Sequence, residues 1–67
     1  MSGIVLDVVN GGSVWLLIVD TGRQIVEQAV ERRQMWDMVE GEGLSLPGEL
    51  VGREVELSED GLTVEFA

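Results

Sequence analysis

The side chains able to do chemistry in this chain are carboxylates, a few hydroxyls and guanidiniums. Its 67 residues hold thirteen Asp and Glu against four Arg, with no Lys, His, Cys or Tyr. Without imidazole there is no ordinary general base poised near neutral pH, and without thiol there is no redox centre or thiolate nucleophile. The usual nitrogen and sulfur metal ligands are missing with them. Glu40, Glu42 and Glu49 could hold a divalent cation weakly through oxygen, but such a cluster reads first as a solvated acidic face, so no metal and no cofactor is expected. Glu40-Gly41-Glu42-Gly43 lacks the Lys of a phosphate-binding loop and puts negative charge where phosphate would sit. Ser58-Glu59-Asp60-Gly61 lacks the alternating oxygen ligands and closing Glu of a calcium-binding loop.

One segment has an enzymatic pattern. Leu17-Ile18-Val19-Asp20-Thr21-Gly22 resembles the active-site segment of retroviral-type aspartic proteases, and Leu50-Val51-Gly52-Arg53 resembles their later apolar-apolar-Gly-Arg segment. The resemblance implies a homodimer in which each chain contributes Asp20, the two carboxylates sharing a proton to activate water. The chain departs from that family in three respects. Arg23 stands where the family has a small residue, no glycine-rich flap hairpin fits between the two segments, and the chain is much shorter. An enzyme is therefore not expected, and no small-molecule substrate is evident.

Whatever the function, a small set of elements must position it. A chain of this length makes one domain over 1–67, with a core barely large enough to offset the entropy of ordering the backbone. No disulfide is available as a staple. Hydrophobic residues make up 45% and only three are aromatic, so the core is aliphatic and stability must come from dense packing, self-association or both. Met1-Ser2-Gly3-Ile4 has no basic n-region or cleavage pattern, so no signal peptide is expected. The longest apolar run, Val14 to Val19, is far short of a membrane span, and the expected location is cytoplasmic.

Turn signals divide the chain. Ile4 to Val9 reads as a strand ending at Asn10-Gly11-Gly12-Ser13, whose first three residues tolerate positive φ. Val14 to Val19 reads as a second strand; lacking alternation, it should be covered on both faces, as a central strand or with one face in an interface. Asp20-Thr21-Gly22-Arg23 reads as the next turn. Gln24 to Glu40 has two readings. A capping box and helical spacing through Trp36 and Val39 give a long helix and ββαββ, whereas the β-branched Ile25, Val26 and Val30 favour a third strand from Arg23 to Val30. The second is preferred, with a short helix near Arg33 to Glu40 burying Met35, Trp36 and Val39. Pro47-Gly48 marks a turn, with Leu50 and Val51 tucked beneath. Arg53 to Leu57 and Leu62 to Phe66 alternate around Asp60-Gly61, a strong hairpin signal that turns Val55, Leu57, Leu62, Val64 and Phe66 inward.

The expected fold is mainly β: a small five-stranded antiparallel barrel of order β-β-β-α-β-β with one short helix. That order is similar to the OB-fold and, less specifically, to SH3-like barrels. The topology alone assigns no function. Nucleic acid is an unlikely ligand, since a net charge of −9 repels phosphate unless the four arginines converge on one face. The acidity could instead imitate a phosphate backbone and inhibit a basic DNA-binding protein or nuclease. The leading expectation is a non-enzymatic interaction or self-assembly module that docks on a protein partner or forms a homo-oligomer. Its interface candidates are Val5, Val9, Trp15, Leu17, Arg32, Arg33, Trp36 and Met38; the bland reading puts the apolar ones in the core.

Overall fold

A computed structural model describes residues 1–58 and 64–66 and is mainly β. Its strands are β1 (Ser2–Asn10), β2 (Val14–Asp20), β3 (Ile25–Glu31), β4 (Glu54–Leu57) and β5 (Val64–Phe66). A helix, α1 (Arg32–Gly41), and a 3-10 turn over Pro47–Leu50 lie between β3 and β4. All neighbouring strands are antiparallel, in one sheet of order β3-β2-β1-β4-β5. Strand order and helix position match the β-β-β-α-β-β expectation. The sheet is open between β3 and β5, so a closed barrel is not seen among the described residues.

The long-helix alternative fails at Ile25 to Glu31, which pairs residue by residue with β2 from Asp20↔Ile25 to Val14↔Glu31. Tertiary pairing and β-branched side chains outweigh the apparent capping box there. The turn that returns the chain is built from its own side chains. Asp20 Oδ1 accepts from the Gly22 amide at 2.8 Å, Thr21 Oγ1 donates to the Gln24 carbonyl at 3.0 Å, and Gly22 takes a φ of 87°. The β1–β2 turn repeats the device, with Asn10 Oδ1 accepting from the Gly12 amide at 2.9 Å. These are local side-chain turns of the kind Asn and Asp favour.

The core lies on one face of the sheet. Val5, Leu17, Val19, Val30, Val55 and Leu57 point inward and meet Met35 and Val39 of α1 and Leu50 of the 3-10 turn. Val64 and Phe66 pack against this cluster, as their alternation predicts; Leu62 and the Asp60-Gly61 turn lie outside the described residues. Leu50 is fully buried but Val51 is exposed, so only the first of that pair tucks under the sheet. The 3-10 turn feeds back onto β1, where the Gly52 amide donates to the Val5 carbonyl and the Val5 amide to the Arg53 carbonyl.

Helix α1 ends in a glycine cap. The Leu44 amide donates to the Val39 carbonyl and the Gly43 amide to the Glu40 carbonyl, with Gly43 at φ 72°. Its start is uncapped by any side chain and carries Arg32 and Arg33, the wrong sign for the helix dipole. Met35 and Val39 are buried as expected, whereas Trp36 is 40% exposed. At 100° per residue Trp36 stands to one side of the Met35–Val39 stripe, where its ring meets Trp15 of β2.

Candidate functional site

The feature that stands apart from an ordinary small domain is the other face of the sheet. Strand β2 alternates between two environments: Leu17 and Val19 are wholly buried, while Leu16 and Ile18 are half-buried on the opposite side with no element over them among the described residues. Register extends this second face across β1 and β3. One row is Ala29, Leu16 and Val9, the next is Glu27, Ile18 and Asp7, and a third is Ile25, Asp20, Ile4 and Glu54. Val9, Val14, Ile4 and Ile25 range from 37% to 64% exposed.

A β-bulge widens this surface. Val5 pairs with Val19 but Asp7 pairs with Ile18, so Leu6 is an extra residue on β1. The slip keeps both Val5 and Val8 facing the core although they are three residues apart, and it leaves Leu6 and Asp7 both exposed beside Ile18. Without it, strict alternation would turn Val8 outward.

The carboxylates frame these apolar residues. Asp7, Asp20, Glu27, Glu31, Glu54, Glu56 and Glu65 are seven acidic residues on the outward-facing positions of the five strands, and no Arg shares those positions. Glu56 stands directly across from Glu65 and also accepts from the Met1 amino group at 2.7 Å. The arginines are dispersed. Arg23 sits in the β2–β3 turn, Arg32 and Arg33 lie at the opposite end of β3, and Arg53 contacts Glu42 at 3.4 Å. The convergence that phosphate binding requires is not provided.

The eight interface candidates fall into three places. Val9 lies on the open face. Val5 and Leu17 are core residues, 1% and 0% exposed, so their side chains are not available to a partner in this fold. Apolar residues on both sides of β2 hid the phase, and Leu16 and Ile18 hold the surface positions instead. Trp15, Trp36, Met38, Arg32 and Arg33 gather where α1 meets β2. The two indoles make an edge-to-face contact with centroids 6.4 Å apart, Met38 packs on the core, and the arginines are exposed.

Asp20 is the last residue of β2, at the β2–β3 turn, and is exposed. Its carboxylate closes its own turn on Gly22, at the lip of an open groove of about 330 Å³ lined also by Ser2, Gly3, Ile4, Thr21 and Glu54. Of Glu40, Glu42 and Glu49, the second contacts Arg53 and the third accepts from the Ser45 amide; among the described residues no three carboxylates stand together as a cation site. No described helix is long and apolar enough to cross a membrane. Comparison with known proteins finds no matching family model, no similar curated sequence and no similar solved structure.

Proposed function

We propose that this chain is a small non-enzymatic protein–protein interaction module whose contact surface is the open face of its sheet. The observation that carries the reading is the second apolar layer on β1, β2 and β3, centred on Leu16 and Ile18 and framed by carboxylates. A sheet with one face solvated ordinarily alternates apolar-in with polar-out, and β2 does not. A contiguous exposed apolar patch with a polar rim is the usual mark of a docking surface. The chemistry available elsewhere is slight: Asp20 is held in its turn, and the arginines are scattered.

Site-specific photocrosslinking tests this. A photoreactive side chain at Ile18 or Val9 should capture a defined protein in the native host, and one at Glu49, on the 3-10 turn, should not. Capture from Glu49 alone would overturn the assignment of the face.

A second reading has its own observation. Seven carboxylates spread over one face of five strands, with Glu54 and Glu56 two residues and about 7 Å apart on β4, suit imitation of a phosphate backbone. A mimic would lose its basic partner at about 0.5 M salt, where the Debye length is only a few Å, and would tolerate loss of the Ile18 side chain. A packing-driven contact would do neither.

A further inference from the structure

We infer that the open face takes a partner with an apolar centre and an Arg- or Lys-bearing rim, and not a second copy of this chain. The inference deepens the docking reading and rests on it; charge carries it. Ile18 has Glu27 beside it on β3 and Asp7 on β1, and the next row brings Asp20 and Glu54 around Ile4. These carboxylates border the apolar residues, so any surface that covers Leu16 and Ile18 must also lie against them. In a face-to-face dimer, seven carboxylates would meet seven of the same sign, with no outward-facing Arg to pair them.

Sheets pack about 10 Å apart, close to the Debye length in about 0.1 M salt, so this repulsion is felt. A partner that alternates apolar and basic side chains solves both requirements. Its apolar residues cover Leu16, Ile18 and Val9, while its basic residues reach Asp7, Glu27 and Asp20. Such complementarity selects the partner and speeds encounter, while the apolar centre holds the complex once formed.

The probes are three short synthetic peptides. One alternates Lys with Val and Leu, a second keeps Lys but replaces the apolar residues by Ser, and a third keeps Val and Leu but replaces Lys by Glu. Binding is followed by labelled-peptide anisotropy in about 0.1 M salt, with amide shifts mapping the contact. The Lys/Val/Leu peptide is expected to bind with shifts on β1, β2 and β3, at least about tenfold tighter than either other peptide. Ile18→Asn should weaken it about tenfold, and Asp7→Asn with Glu27→Gln by a similar factor, whereas Glu40→Gln with Glu49→Gln should change it less than about twofold.

Sedimentation should give the same mass for the wild type and Ile18→Asn. Equal binding of the Glu peptide, or a dimer that Ile18→Asn dissolves, would overturn the partner chemistry while leaving the face as a docking surface. Absence of any peptide-induced shift on β1 to β3 would overturn both readings. An equal loss from the Glu40 and Glu49 changes would reduce the binding to net charge and overturn the inference.

Discussion

Trp15 and Trp36 meet edge to face, their ring centroids 6.4 Å apart and their planes at 82°. The contact joins the start of β2 to the second turn of α1, a helix whose first turn is neither capped nor favoured by its charges. Aromatic pairs of this geometry contribute about 0.5–1.5 kcal/mol beyond the area they bury. Either Trp→Phe change should therefore abolish the tryptophan exciton signal in circular dichroism. Trp36→Ala should lower unfolding stability by about 1–2 kcal/mol. An exciton signal that survives in both single variants would show that the indoles do not couple.

Leu17 and Ile18 are adjacent in the chain yet belong to different layers, and their substitutions should separate accordingly. Leu17→Ala empties a wholly buried site and should cost about 2–5 kcal/mol. A chain of this length has about 3–10 kcal/mol in total, so that loss threatens the fold. Ile18→Thr, on the open face, should cost less than about 1 kcal/mol in urea denaturation. Similar losses at the two positions would mean that the second apolar layer is packed as part of the core.

Much of this arrangement is legible in the sequence because it is local. Asn10-Gly11-Gly12 and Asp20-Thr21-Gly22 are turns made by their own side chains and by glycines at positive φ. Glu54 to Leu57 and Val64 to Phe66 alternate cleanly, so their inward residues follow from period alone. What stays hidden depends on pairing between strands. The bulge at Leu6 is a property of the β1–β2 register, and apolar residues on both sides of β2 give no sign of which set meets α1. Trp15 and Leu17 look like interface residues until the helix is placed on their side. The acidic frame is less legible still, because Asp7, Glu27 and Glu54 come from three strands and become neighbours only across the sheet.

Gly3, on β1, leaves no room for a side chain against β2. A Cβ there would stand 2.5 Å from Val19 Cγ1 and 2.7 Å from the Asp20 carbonyl oxygen, and the second of these is backbone that cannot swing aside. Gly3→Ala should force the strands apart locally and destabilise by about 1–3 kcal/mol. It should also weaken hydrogen-exchange protection at the β1–β2 end of the ladder. An unchanged unfolding midpoint would show that the sheet relaxes there more readily than its packing suggests.

Asp20 separates a turn residue from an acid catalyst. Its carboxylate accepts the Gly22 amide hydrogen bond, a role an amide oxygen can also fill. Asp20→Asn should keep the fold within about 0.5 kcal/mol, while Asp20→Ala should cost about 1 kcal/mol by removing the hydrogen bond that closes the turn. An acid-optimal peptide cleavage that Asp20→Asn abolishes would restore the protease reading.

Glu56 and Glu65 face each other directly across β4 and β5. Like charges at such positions destabilise a sheet by a few tenths to about 1 kcal/mol, and five more carboxylates share the same face. The net charge of −9 adds a general self-repulsion to this local one. Salt should therefore raise the melting temperature, because screening weakens repulsion between exposed groups while leaving the apolar core intact. Glu65→Lys converts the facing pair to opposite sign and should stabilise by about 0.5–1 kcal/mol at low salt. That gain should shrink in about 0.5 M salt, where the same charges are screened. Thermal melts of the two proteins at both ionic strengths separate the contributions. If Glu65→Lys melts no higher than wild type at low salt, the acidic frame costs the free chain little, and its placement has to be explained by the partner it meets.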